Sequence, residues 1–167
     1  MSPGLLAQDI NLAIQNESDV PFLRRLYLSV RWEELAPTGW NDAQKTAFLE
    51  SQFAAQYRHY ALVYAEAVFH IIRHGAEPIG RVVIFSNDRD IRIVDIALLP
   101  EWRGRGIGTD LLKTVFAKAS AAKQIVSIHV EQFNPAKTLY TRLGFRKCGE
   151  HGPYWLMEWK AEQETVN

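Results

Sequence analysis

The chain has 167 residues, 47% of them hydrophobic and 11% aromatic, so it reads as one globular domain with a sizeable core and not as a disordered segment. Lysine plus arginine equals aspartate plus glutamate, 19 each, and a net charge of zero sets up no field toward nucleic acid or anionic lipid. Any anion site is therefore local.

The first residues, MSPGLLAQD, carry neither a cationic stretch nor a long apolar one and are not read as a signal peptide. No apolar run approaches the roughly 20 residues that span a bilayer, so a soluble, cytoplasmic protein is expected. Ile10 to Ile14 alternates apolar and polar residues, a first strand. Ser18 or Asp19 caps a helix with Pro21 in its first turn, and Leu23, Leu26, Tyr27 and Val30 form its apolar stripe. That helix is expected to stop before Pro37-Thr38-Gly39. Asn41 with Gln44 resembles a capping box for a second helix running through Phe48, Phe53 and Tyr57. Ala67 to Arg73, Ile79 to Phe85 and Asp90 to Leu99 read as three antiparallel strands, with turn chemistry at His74-Gly75-Ala76 and Asn87-Asp88. Leu111, Leu112, Val115, Phe116 and Ala119 then recur at helical spacing, and Ile125 to Val130 is a strand. Pro135 to Leu143 is a short helix, capped by Asn134 and stopped by Gly144. Two strands follow, near Arg146 to Glu150 and Tyr154 to Lys160. The order predicts a mixed α/β (α+β) sandwich with one βαβ unit at its centre.

Cys148 is the only cysteine, which excludes an intramolecular disulfide and points to a reducing compartment. Arg146 and Lys147 could lower its pKa, but the plain reading is a free strand thiol. Trp155, Met157 and Trp159 share one strand face, which suits core burial and a homodimer contact equally. His59, His70, His74, His129 and His151 show no ligand spacing beyond His70-x-x-x-His74, which straddles a strand end, so no metal is expected.

The chemistry concentrates in Ile91 to Leu112, where an apolar strand ends at Pro100 and Arg103-Gly104-Arg105-Gly106-Ile107-Gly108 opens a helix. Glycines at such a turn uncover backbone N–H groups, and the helix N-terminus adds its positive dipole, an arrangement suited to a diphosphate. A Walker A loop needs Lys-Ser or Lys-Thr after its last glycine, and Thr109-Asp110 stands there instead. A dinucleotide-binding turn nearly fits Gly104-x-Gly106-x-x-Thr109, with Glu131 as the ribose acid. Its first glycine, however, directly follows the strand, and here Pro100 to Arg103 intervene. Only 36 residues follow Glu131, too few for a doubly wound sheet.

The pattern resembles the GNAT superfamily of acyl-coenzyme A-dependent N-acetyltransferases. The family signature Gln/Arg-x-x-Gly-x-Gly/Ala is matched by Arg103, Gly106 and Gly108, after the apolar strand Asp95 to Pro100. A second motif is matched by Asn134 to Lys137, Leu139-Tyr140 and Leu143-Gly144-Phe145. The resemblance spans roughly Ile79 to Phe145 and implies a mostly antiparallel central sheet with helices on both faces. It implies that backbone N–H groups from Arg103 to Thr109, through Gly104, Arg105, Gly106, Ile107 and Gly108, hold the coenzyme A pyrophosphate. Backbone groups near Leu98 and Leu99 would meet the pantetheine arm, a form of strand addition. Tyr140 would protonate the departing thiolate, or else simply fill the core. Asn134 caps a helix and could also touch pantetheine; Lys137 could contact the nucleotide phosphate or be a solvated lysine.

Asp95 shares a strand face with Ile91, Ile93 and Ala97, which suits a general base of raised pKa. Pairing with Arg81 or Arg92 is the competing explanation. The family places its acceptor over the first two helices, where Trp32, Glu34 and Trp40 could receive a cationic amine or form a packing cluster. The implied reaction is acetyl transfer from acetyl-CoA to a small-molecule or peptide amine by direct attack in a ternary complex. The alternative is a catalytically silent acyl-CoA-binding sensor or interaction module.

Overall fold

The computed structural model describes residues 9–162. Residues 1–8, which make up most of the stretch read above as no signal peptide, lie outside the described residues. Strand β1 (Ile10–Ile14) pairs antiparallel with β2 (Val68–His74), from Ile10↔His74 to Ile14↔His70. The first cap falls on Asn16 and not on Ser18 or Asp19. Asn16 Oδ1 accepts from Ser18 N–H at 2.9 Å, and the Asp19 carboxylate accepts from Asn16 N–H at 2.8 Å, closing a 3-10 turn over Glu17–Asp19. Asp19 is thereby committed backward, and helix α1 (Val20–Arg31) starts without a side-chain cap, on Pro21. Proline lacks the N–H that a cap would satisfy, so this start costs little.

Leu23 and Leu26 of the predicted stripe are buried. The α-helix ends at Arg31, and a 3-10 stretch, Trp32–Thr38, carries the chain through Pro37. Helix α2 (Asp42–Val63) has the predicted capping box, with Asn41 and Gln44 bonding each other's backbone at 2.9 and 3.0 Å.

Strands β3 (Glu77–Ser86) and β4 (Asp90–Leu98) follow, then helix α3 (Ile107–Ala122) and strand β5 (Ile125–Glu131). β4 and β5 pair in parallel from Asp90↔Ile125 to Ile93↔Ile128, the predicted βαβ unit, and β4 continues for five residues beyond the last of these pairs. Buried Ser127 donates to the Asp90 carboxylate at 2.5 Å and accepts from Arg92 Nε at 3.1 Å, which pins this parallel register. Helix α4 (Ala136–Arg142) and strands β6 (Arg146–His151) and β7 (Tyr154–Trp159) complete a seven-stranded sheet of order β1-β2-β3-β4-β5-β7-β6. β7 pairs antiparallel with both β5 and β6.

The described residues group into two compact units, one up to Val83 with Asp95–Asp110, the other Ile84–Val94 with those from Leu111 onward. In the first, Leu23, Phe53 and Ile71 form a buried cluster, and Tyr27 and Tyr57 pack on it. In the second, Phe116 stacks on Trp159 at 4.1 Å and packs against Phe145, while Met157 is fully buried. Core burial thus accounts for Met157 and Trp159. Cys148 is exposed; burial of its thiol and then Glu158 push its pKa up, so the flanking cations do not activate it. No helix among the described residues is long and apolar enough to cross a membrane.

Candidate functional site

The end of β4 is fixed by its neighbours. Leu99 N–H donates to the Ile79 carbonyl of β3 at 2.8 Å, and the Leu99 carbonyl accepts from Trp102 N–H at 2.9 Å. Backbone groups of successive strand residues point to opposite edges, so those of Leu98 face away from β3. On that edge the Leu98 carbonyl accepts from Arg103 Nε at 3.1 Å. Of the two residues expected to meet pantetheine, Leu99 has both backbone groups engaged within the chain. Leu98 is the one turned outward. Gly80 makes this geometry: a Cβ there would collide with the Ala97 carbonyl oxygen and come within 2.8 Å of Leu98 Cδ2. Only glycine lets β3 approach so closely.

A 3-10 turn, Pro100–Trp102, then leads to the glycine loop. Gly104 and Gly106 take φ of +74° and +82°, where a Cβ is penalised. The first helical bond runs from Asp110 N–H to the Gly106 carbonyl, so the N–H groups of Ile107, Gly108 and Thr109 have no intrahelical acceptor. Nothing lies within 4 Å of where a Cβ would stand on Gly104, Gly106 or Gly108, so the loop's surface is open. Ile107 is buried and anchors the turn. The Arg105 guanidinium lies 4.6 Å above the Trp102 ring, which also packs against His74 at 4.8 Å. Unpaired donors, a helix N-terminus and two arginines around an open glycine surface have the chemistry of a diphosphate cradle.

On β4, three residues before Leu98, stands Asp95. Beside its apolar neighbours it has a charged partner: Arg81 Nε donates to Asp95 Oδ2 at 2.7 Å and Nη2 lies 2.6 Å from the same oxygen. The pairing with Arg81, the competing explanation, is what the structure has. Arg81 is 5% exposed, and Nη2 also donates to Gln56 Oε1 at 2.7 Å, while the Tyr60 ring covers the guanidinium at 5.3 Å. Burial and then the Asp95 charge raise the Tyr60 phenol far above its ordinary value, which keeps it protonated. Asp95 Oδ1 has no donor among the described residues. Asp95, Arg81, Gln56 and Arg31 form the polar side of a small pocket of about 50 Å³. Leu23, Leu26 and Val30 of α1 line it, with Ala97 of β4.

Trp32, Glu34 and Trp40 do not line this pocket. Trp32 lies under Lys45 Nζ at 5.3 Å, Trp40 packs edge-on against Phe48 at 5.2 Å, and exposed Glu34 pairs with Arg31 at 3.1 Å. The two tryptophans thus pack against α2, the alternative the sequence left open, and Glu34 pairs back onto the end of α1. Tyr27, Val30, Arg31, Gln56 and Arg81 line the pocket instead. Gln56 left one signal: it falls on the buried stripe of α2 between Phe53 and Tyr60, where a polar residue needs a buried partner.

In the second unit, Tyr140 is 7% exposed and meets Phe145 edge-on at 5.7 Å. Asn134 Oδ1 accepts from Ala136 N–H at 2.9 Å, which closes the turn before α4; the N-cap position is Pro135, so the expected side-chain cap is not formed. Lys137 Nζ lies 3.8 Å above the Trp155 ring, and Lys147 Nζ 4.3 Å from it.

The fold is of the GNAT type, and the comparisons with known proteins supply the family. Residues 65–147 match the family model of the acetyltransferase (GNAT) domain. No curated protein matches the sequence. PaiA N-acetyltransferase from Thermoplasma acidophilum, solved in complex with coenzyme A, superposes with a TM-score of 0.67 at 15% identity, over 91% of this chain and 99% of that one. An acetyltransferase from Thermus thermophilus gives 0.64 at 21% identity, over 91% and 97%. A GNAT family acetyltransferase from Elizabethkingia anophelis with acetyl-CoA bound gives 0.59 at 18% identity, over 92% and 99%. The chain belongs to the GNAT acetyltransferases.

Proposed function

We propose that this protein transfers an acetyl group from acetyl-CoA to a primary amine by direct attack in a ternary complex. The observation that carries the reading is the open glycine loop Arg103–Thr109 at the start of α3, next to the outward edge of Leu98. The solved neighbours with coenzyme A or acetyl-CoA bound support this choice of co-substrate. The N–H groups of Ile107, Gly108 and Thr109 hold the pyrophosphate, aided by Arg103 and Arg105. Leu98 offers its backbone to pantetheine and, through its N–H, to the developing oxyanion. Lys137 serves the nucleotide phosphate, and Asn134 steadies the loop that precedes α4.

The amine sits in the pocket of Asp95, held close to the thioester so that attack is effectively intramolecular. Its nitrogen forms a bond to the thioester carbonyl carbon as the carbon–sulfur bond breaks. The amine proton passes to Asp95 Oδ1, directly or through water, and the Tyr140 hydroxyl gives its proton to the departing sulfur. Solvent then returns a proton from Asp95 to Tyr140, leaving amide and free thiol. With a single cysteine and no partner for it, the protein suits the reducing cytoplasm.

A silent acyl-CoA-binding module is the second reading, favoured by the burial of Tyr140 against Phe145. Thiol release from acetyl-CoA over a panel of amines separates the two. For the enzyme, Tyr140→Phe lowers turnover much more than cofactor affinity. Binding with no turnover for any amine establishes the module instead, and equal losses in both terms remove Tyr140 as the acid.

A further inference from the structure

The pocket of Asp95 also limits which amine can occupy it. Asp95 carries the one carboxylate among the lining residues, against two guanidiniums, Arg81 and Arg31. Its Oδ2 is already matched by Arg81, and Oδ1 alone remains for an incoming N–H. Glu34 pairs with Arg31 at 3.1 Å and does not itself line the pocket. The remaining surface is hydrocarbon from Leu23, Leu26, Val30 and Ala97 with the Tyr27 ring. With a cavity volume of about 50 Å³ the space is far smaller than the roughly 300–1,000 Å³ common for drug-sized ligands, which suits only a compact occupant.

Resting on the acetyl-transfer reading above, we propose that the acceptor is a compact monoamine with an apolar body, and not a polyamine or a lysine-rich peptide. The nitrogen lies at Asp95 Oδ1 and the hydrocarbon against α1. A second ammonium inside the pocket would find no further carboxylate among the lining residues, and two guanidiniums there. Such unpaired burial is what a site of this kind selects against. Arg31 is then a specificity-determining residue, since its guanidinium lines the same pocket and its pairing with Glu34 keeps that carboxylate engaged.

The test compares hexylamine with hexane-1,6-diamine, which share one carbon chain and differ by one ammonium, with spermidine as a third acceptor. Thiol release from acetyl-CoA is expected to give hexylamine a kcat/KM at least tenfold above either polyamine, although the diamine offers two nucleophiles. Arg31→Glu is expected to narrow that ratio at least threefold. Stabilisation by acetyl-CoA, unchanged in the variant, verifies that its fold and cofactor site are intact. Equal or better turnover of hexane-1,6-diamine or spermidine would overturn the proposal and leave acetyl transfer standing. Absence of thiol release with every amine would remove the acetyl-transfer reading itself, and this inference with it.

Discussion

Asp95 and Arg81 illustrate how one side chain restricts another. A guanidinium that is 5% exposed must be matched, and Asp95, Gln56 and the Tyr60 ring together match it. Arg81→Met keeps most of the packing but leaves the Asp95 charge alone beside the pocket. Because the Asp95 side chain is 25% exposed, the expected loss is about 2–3 kcal/mol, below the full cost of breaking a buried pair. Urea denaturation measures it; a loss under about 1 kcal/mol would mean the pair behaves like one on the surface. Gly106 presents the opposite case, with backbone conformation and no crowding. At φ +82° and with open space around it, Gly106→Ala costs about 1 kcal/mol of strain, a drop of about 2–4 °C in Tm for a chain this size. Its larger effect falls on acetyl-CoA affinity, because the loop's N–H groups must rotate. Weakened binding with only that small drop in Tm is the expected result, and unchanged binding would detach the loop from the cofactor.

At the scale of elements, β3 and β4 meet closely at Gly80. A methyl group there strikes backbone and cannot rotate away, so Gly80→Ala should cost about 3 kcal/mol, the upper end for overpacking. It should also raise the KM for acetyl-CoA by displacing Leu98. Loss of stability with an unchanged KM would separate the strand edge from cofactor binding. Most elements were legible because their signals are local. Alternation marked β1, the Asn41–Gln44 box marked α2, and glycine with arginine marked the loop before α3. The first cap was not legible, since Asn16, Ser18 and Asp19 all have capping chemistry and the choice depends on Asp19 also facing Arg73 from β2. The residues that line the pocket of Asp95 were not legible for a similar reason. Trp32, Glu34 and Trp40 look chemically suited, but α1 stops at Arg31, and Trp32 of the 3-10 stretch and Trp40 beyond it pack against Lys45 and Phe48 of α2.

At the scale of the whole molecule, the insertion of β7 between β5 and β6 is set by long-range pairs such as Val126↔Trp159, which no local pattern encodes. The βαβ unit was legible because a short strand-helix-strand connection leaves few alternatives. Global stability carries a pH signature from His129. Burial, then Arg92, then His151 lower its pKa below the ordinary value near 6.5, so the unfolded chain takes up the proton first as the solution is acidified. Stability contributed by neutral His129 is present above about pH 6.5 and declines as pH falls toward the lowered folded value. Tm measured between pH 7.5 and 5.5 should therefore fall less steeply in His129→Gln, and parallel curves would assign the acid sensitivity elsewhere.

The central claim is that the Arg103–Thr109 loop holds acyl-coenzyme A. Thermal unfolding with acetyl-CoA, and with NAD as the control dinucleotide, tests it most directly. At about 100 times the dissociation constant, binding adds roughly 2.7 kcal/mol, which raises Tm by several degrees. A rise with acetyl-CoA alone is the predicted result; no rise, or a rise only with NAD, would contradict the cofactor assignment and the chemistry built on it.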